Sequence, residues 1–330
     1  MVNPILLSLT STQKRNPSKG FTLVELLVVL FIGGAIISGL MYLAVELLTT
    51  DNRESTRTET QRDLQHALDF MSNELREAIY IYPDVIDPET NALFDFFPAD
   101  NPDFGEPVLA FWKQQRLPRQ VRDRCAVEAN LDDPGFRQTC LRGYSYTLVV
   151  YSLDGVNDNA DDWRGRAQIV RSAMTQFDLD TGDDNGEGYV TPLDNASVAF
   201  RSWPPDDSNP VFNQIDVLTD FVDDGAGSEG RAQVRSGDCP NPANAPVGEE
   251  PYAPSPSQPI NGTVRSFYAC VTQPGVNADG TQRSAASRNQ EVIVYLQGNA
   301  NGRSGIFGED TFLPTLETRV LTRGILDKSF

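Results

Sequence analysis

KGFTLVELLVVLFIGGAIISGL, residues 19–40, decides the reading of this chain. It is an apolar run with one acid, Glu25, set a few residues after a Gly-Phe junction. Residues 21–48 carry charge only at Glu25 and Glu46, and the 20 residues 26–45 between them are uncharged and mostly apolar. About 20 such residues are what a helix needs to cross a bilayer. Lys14, Arg15 and Lys19 precede the run, which keeps the N-terminus cytoplasmic and sends the rest across. The run is too long for the apolar region of a secretory signal, and no small-x-small cleavage site follows it. A plain single-pass anchor leaves Glu25 unexplained. A carboxylate near the membrane core costs roughly 2.5–3.5 kcal/mol even on the gentler insertion scale, so an acid there is read as functional.

The helical pattern continues past the membrane segment. No proline lies between Pro17 and Pro83, and Leu64, Leu68, Met71, Leu75, Ala78 and Tyr82 recur at steps of four and three residues. That is the period of an amphipathic helix. One helix over about 21–82 is expected, on the order of 93 Å long at 1.5 Å per residue. Its Leu64–Tyr82 stripe should seat it on a C-terminal sheet. Residues 49–62 show no apolar stripe and are expected to be exposed. Gly33, Gly34 and Gly39 suit either close helix approach or local melting, and their spacing does not choose.

After Pro83 the pattern becomes short strand candidates between turn-rich loops: 107–112, 143–153, 166–173, 197–202, 265–271, 290–297 and 317–325. Alternation is clearest in Tyr144, Tyr146, Leu148 and Val150 and in Val292, Val294 and Leu296. Residues 143–173 fit a long hairpin whose turn starts at Asp154-Gly155. The fold class is therefore α+β: one long N-terminal helix, its first half transmembrane, packed on a mainly antiparallel sheet head with long loops. Residues 203–262 are rich in Pro, Gly, Asp, Ser and Asn, seven prolines fall between Cys239 and Cys270, and this segment reads as loop.

Composition narrows the function. The formal net charge is −19, and residues 1–20 hold three bases and no acid, so a formal −22 falls on the rest. Nothing large and positive remains to neutralise phosphates, which excludes nucleic acid as partner. His66 is the one histidine, which removes most Ser-His-Asp and Cys-His schemes and reads as a solvated helical side chain. Four cysteines, Cys125, Cys140, Cys239 and Cys270, form no C-x-x-C pair and suit two disulfides in an exported domain. Sequential pairing is the simplest of three connectivities, and the sequence does not choose among them. A 239–270 bridge would stabilise by roughly 3–4 kcal/mol in the loop-entropy model.

Three acidic clusters occur, at 154–162, 178–188 and 220–224. In the second, Asp183, Asn185, Glu187, Gly188 and Asp194 fall at positions one, three, five, six and twelve of an EF-hand-like loop, so calcium is the candidate cofactor. Glu at five, Asp at twelve and the lack of flanking helices depart from that pattern, and a solvated acidic turn is the preferred reading. Paired carboxylates admit a glycosidase by residue type, but no pair is singled out, and no nucleotide-binding or hydrolase motif is present.

Lys19-Gly20-Phe21-Thr22-Leu23-Val24-Glu25-Leu26 resembles the processing site of type IV prepilins and pseudopilins. The resemblance implies that prepilin peptidase cuts after Gly20, that residues 1–20 are a cytoplasmic leader, and that Phe21 becomes an N-methylated N-terminus. It implies that Glu25 meets the N-terminal amine of a neighbouring subunit, each charge costly alone and tolerable when paired. The segments would then be a filament-core half-helix (21–48), an amphipathic half (49–82) and an exported head (83–330) in the periplasm, held on the inner membrane. Partners would be other pseudopilins, the membrane assembly platform and its ATPase. The chain would be an enzyme's substrate, not an enzyme.

Many major pilins have a proline in this helix and a cysteine-closed loop near the C-terminus; this chain has no proline before 83 after the leader and no cysteine after 270, which favours a minor component. Trp163–Arg171, Val292–Leu296 and Arg319–Leu326 look like segments of the J-type pseudopilins of type II secretion and their W-type pilus counterparts. Within that group the chain resembles the hormogonium polysaccharide secretion pseudopilins of filamentous cyanobacteria. The expected function is a tip or priming subunit supporting secretion of polysaccharide. The alternative is a tip-displayed binding module, an adhesin or cargo reader using residues 203–262, with calcium.

Overall fold

The computed structural model describes residues 20–85, 104–127, 132–155, 165–184, 189–192, 200, 203, 211–224, 239–240, 252–256, 266–272, 290–303 and 313–322. Helix α1 runs Leu23–Arg76. Two antiparallel sheets follow, giving an α+β, pilin-like architecture. The first has five strands in chain order: β1 (Ala78–Ile81), β2 (Glu106–Arg116), β3 (Tyr144–Gly155), β4 (Ala167–Thr175) and β5 (Gln214–Val222). The second has four: β6 (Tyr252–Ser255), β7 (Phe267–Thr272), β8 (Glu291–Gln297) and β9 (Thr315–Leu321). Between β2 and β3 sit two short helices, α2 (Arg119–Cys125) and α3 (Pro134–Arg142). Residues 1–51 and 52–330 form separate compact units.

The helix ends six residues before the sequence pattern does. Ala78 and Tyr82 continue the helical period, yet Ala78–Ile81 is a strand paired with β2. Ile79, Tyr80, Ile81 and Tyr82 are β-branched or aromatic, types that suit a pleated surface, and all are buried. Both faces of the strand are used. Ala78 and Ile81 join the core against α1, while Ile79, Tyr80 and Tyr82 join the opposite layer.

The α1-side core holds Leu64, Leu68, Met71 and Leu75 against Phe111 of β2, Val149 of β3, Ile169 of β4, and alternate residues of β7 and β8. The polar stretch 49–62, expected from sequence to be exposed, is not wholly so. Thr56 and Thr60 are buried, with the Thr60 hydroxyl donating to the Thr56 carbonyl at 3.0 Å. A threonine that returns its hydroxyl to the preceding turn is apolar enough to extend the stripe one face upward. The far face of the first sheet carries a second, aromatic layer. Trp112 and Trp203 meet edge to face at 5.0 Å, and the Tyr82 hydroxyl accepts from Trp112 and donates to the Phe200 carbonyl at 2.7 Å.

The two sheets meet where β5 runs into the end of β8. The Asp223 N–H donates to the Gln297 carbonyl and the Asn299 N–H to the Phe221 carbonyl. Gly298 sits there under the helix: a Cβ on it would lie 2.4 Å from Cδ1 of Leu64. Residues 203–262, read from composition as loop, contribute β5 and β6. The Ile215, Val217, Thr219, Phe221 alternation is a strand signal hidden inside a Pro- and Asp-rich neighbourhood. The 143–173 hairpin forms in register Thr147 to Thr175 through Gly155 to Ala167. Of the expected strand 197–202, only Phe200 lies within the described residues.

Candidate functional site: the N-terminal segment and its contrast with the head

Gly20, Phe21 and Thr22 precede α1 and are not helical. The Thr22 hydroxyl accepts the Glu25 N–H at 3.3 Å, and the Thr22 carbonyl accepts the Leu26 N–H at 3.2 Å. Thr22 is therefore the N-cap and Glu25 the third helical residue. Thr-x-x-Glu at those positions is the capping-box pattern, with Phe21 and Leu26 at the two positions of a hydrophobic staple. This capping signal is present in the sequence, on the same residues as the processing motif. It gives Glu25 a local role: a carboxylate in the first turn complements the positive end of the helix dipole.

The residues that follow lie open. Phe21 is 77% exposed and Leu30 67%, and the apolar window of α1 has a mean hydropathy of 2.5 with none of it buried. By length and composition this helix can cross a membrane. Among the described residues no hydrogen bond or ion pair engages the Glu25 carboxylate. A Cβ placed on Gly20, Gly33, Gly34 or Gly39 meets nothing within 4 Å, so nothing described in the chain requires glycine there.

Glu74, on the same helix, has the opposite surroundings. Its side chain is 9% exposed. One carboxylate oxygen, Oε1, accepts from Lys113 Nζ at 2.6 Å and Arg171 Nη2 at 2.8 Å; the other, Oε2, accepts from the Tyr151 hydroxyl at 2.5 Å and Arg171 Nε at 2.9 Å. Lys113, Tyr151 and Arg171 stand on β2, β3 and β4, and Tyr151 and Arg171 are cross-strand partners. Burial pushes the Glu74 carboxyl up, but the bidentate Arg171 guanidinium, then Lys113 and Tyr151, outweigh it and hold the group at about 2. The periodicity of α1 placed Glu74 among polar residues; only the strands' register reveals its partners.

A second ion pair reaches the helix from Arg303, which contacts Glu59 at 3.1 Å and Asp63, and lies 4.1 Å over the Phe221 ring. Phe221 has φ 60°, a strained value for a bulky residue. Its N–H is held by Asp220 at 2.7 Å. Gly165 packs on that same turn, where a Cβ would meet Asp220 Oδ1 at 2.0 Å.

The candidate calcium ligands are only partly placed. Asn185, Glu187, Gly188 and Asp194 lie outside the described residues. Asp183 sits in a self-contained turn: its carbonyl accepts from the Asp178 N–H at 2.8 Å and its N–H donates to Thr181. Asp178 accepts from the N–H groups of Asp180 and Thr181, which holds its carboxyl below the usual range. Among the described residues no group of three or more His, Cys, Asp and Glu side chains converges as a metal cage. His66 is exposed on α1. All four cysteines are bonded, Cys125 to Cys140 and Cys239 to Cys270, each pair with Cα atoms 5.5 Å apart.

Residues 15–41 match the family model of the prokaryotic N-terminal methylation motif. No curated protein and no solved structure matches the chain. The matched span holds Lys19, Gly20, Phe21, Thr22 and Glu25 together with the open apolar turns of α1, so the N-terminus of this protein is type IV prepilin-like.

Proposed function

We propose that this protein is a minor pilin or pseudopilin, cleaved by prepilin peptidase after Gly20, methylated on Phe21 and assembled through the apolar half of α1. The observation that carries the reading is the coincidence at residues 20–25. The methylation motif lies where a short non-helical segment meets an uncovered apolar helix whose acid has no described partner. The bond to be cut is outside the helix, and Gly20 has open space around it, so its small size answers to the peptidase. Glu25 then pairs with the new amine of a neighbouring subunit, an assembly and register role. Residues 1–20 act as leader, 21–48 as membrane and filament segment, and the remainder as the exported head.

Two disulfides in the head support a topology with the head in an oxidising compartment and the N-terminus in the cytoplasm. Partners on this reading are the prepilin peptidase, other pilins or pseudopilins, the inner-membrane platform and its ATPase. A minor, priming or tip position and a secretory role, with polysaccharide as cargo, form the finer part of the reading. They rest on the unbroken helix and on the likeness of Trp163–Arg171. Two residues of that segment serve the fold here, Arg171 holding Glu74 and Gly165 admitting the Asp220 turn.

Mass spectrometry of the membrane-extracted protein tests the core of the reading. A chain beginning at N-methyl-Phe21 is expected; an intact leader overturns it. A clean deletion scored for released polysaccharide and surface pili tests the finer part. Loss of polysaccharide with pili intact places the protein in a dedicated secretion filament, and loss of pili makes it a priming pilin.

A further inference from the structure

A sheet edge leaves a row of backbone N–H and C=O groups unmatched, and folds blunt such rows with short strands, proline, bulges or a covering group. The two sheets have four edges, and three are blunted. β1 is four residues long, and the Gln290 side chain stands in for a neighbouring strand. Its Oε1 accepts the Ile81 N–H at 2.9 Å and its Nε2 donates to the Ile81 carbonyl at 2.8 Å. β6 is as short and contains Pro254, and its Ser255 hydroxyl donates to the Val108 carbonyl of β2 at 2.7 Å. β5 twice breaks register with β4, turns at Phe221 and is bridged at Val222 to Gly298. β9 has none of these devices: its seven residues pair with β8 without a break and include no proline.

The ladder shows which groups are left over. The Thr322 N–H donates to the Gln290 carbonyl and the Gly298 N–H to the Pro314 carbonyl, each at 2.9 Å, so the even-numbered residues turn their backbone groups to β8. Those of Thr315, Glu317, Arg319 and Leu321 point to the open edge, and among the described residues no hydrogen bond uses them. Leu321 is exposed, and a cleft of about 540 Å³ lined by Leu321, Asn73, Arg76 and Glu77 keeps the end of α1 clear of it.

We propose that β9 is an interaction edge that takes an extended strand of another protein as the fifth strand of the second sheet, by main-chain hydrogen bonds. The side chains along the edge state what that strand must carry. Glu317 is exposed, and Arg319 keeps most of its side chain in solvent beside its own pair with Glu291. An antiparallel strand fits when it reads acid-x-base, with its acid opposite Arg319 and its base opposite Glu317. On the other face Leu316 and Val320 call for apolar residues. Like charges at those places repel, which gives the edge its selectivity. β9 itself has this pattern, Leu316-Glu317-Thr318-Arg319-Val320. A second copy of the chain, however, brings a second formal −22 and is repelled as a whole, so the occupant is a strand from a less acidic protein. This role belongs to the head and holds whether or not the chain is cut at Gly20.

A capped fluorescent peptide of the sequence 315–321 carries the pattern without the charge of the head, and fluorescence anisotropy with the full chain in detergent reads its binding. Saturable binding is expected. N-methylation at the peptide's glutamate or arginine, whose N–H groups meet β9, abolishes it; N-methylation at its second leucine-side neighbour, the valine, whose N–H points away, leaves it. Exchanging the peptide's glutamate and arginine weakens binding about tenfold, and a head with Glu317→Arg binds better to a peptide whose arginine is replaced by glutamate. Absence of saturable binding overturns the proposal, and so does binding that ignores the place of the methyl group, since that is apolar adhesion and not strand addition. Dimerisation of the full chain that the peptide competes away overturns the choice of occupant in favour of a second copy.

Discussion

Glu25 and Glu74 are carried by one helix and treated oppositely. Glu74 is enclosed by its own chain, with Lys113, Tyr151 and Arg171 brought to it by three strands. Glu25 stands in an uncovered apolar segment with no described partner for its carboxylate. The same side chain is costly in both settings unless countered. Among its described residues the head meets this cost internally. The described N-terminal segment offers Glu25 no counter-charge, and on the assembly proposed above a neighbouring subunit would supply it. One acid is thus matched within the described head, and the other, on the proposed assembly, would be matched by a neighbour.

The largest effect expected is from removing an internal partner. Arg171→Ala leaves Glu74 buried with two of its four donated hydrogen bonds gone, and should destabilise the head by about 3–5 kcal/mol, read by urea unfolding followed through the buried tryptophans. Glu25→Ala should leave that transition unmoved, while incorporation into filaments falls sharply. Equal losses of head stability in both variants would break the contrast.

Acid sharpens it. The ordinary glutamate value is 4.5, and Glu74 is held at about 2 in the folded chain. A depressed folded value means that stability is present above about 4.5 and is lost as pH falls toward 2, on the order of 3 kcal/mol in all. Relief of the head's negative self-repulsion acts in the other direction over the same range. The comparison that isolates Glu74 is therefore between the wild type and Glu74→Gln. Their difference in unfolding free energy should be level down to about pH 5 and shrink from there toward pH 3. A difference independent of pH would mean that Glu74 is not charged in the fold.

The long helix and the sheet-rich head were legible because their signals are local. Residues 26–45 announce a membrane segment by composition alone, and β3 and β8 by alternation. The end of α1 was not, because Ala78 and Tyr82 fit a helical period and only pairing with β2 overrides it. β5 and β6 were hidden in a composition typical of loops. Helix α3 had a readable frame, Asp133 capping it, Pro134 opening it and Gly143, at φ 73°, closing it, but its shortness gave no apolar period. Of the site, Gly20, Phe21 and Glu25 could be named from the motif, whereas the Glu74 cluster could not, since its four residues are scattered over 98 positions and met only through strand register.

Smaller effects probe the open half. Thr22→Ala removes the N-cap acceptor of the Glu25 N–H and should cost the first turn about 1 kcal/mol, seen as faster amide exchange at residues 23–26 in micelles; Thr22→Ser should restore it.

The smallest effect concerns Gly34, and its sign is informative. Glycine inside a helix costs roughly 0.5–1 kcal/mol relative to alanine, and a Cβ at Gly34 has nothing within 4 Å to strike. Gly34→Ala should therefore slow amide exchange around residues 30–38 in the isolated chain. If glycine serves a close helix neighbour, the same variant loses filament incorporation despite its firmer helix, because the added methyl obstructs a partner the lone chain does not contain. If incorporation is unchanged, no neighbour requires glycine at position 34.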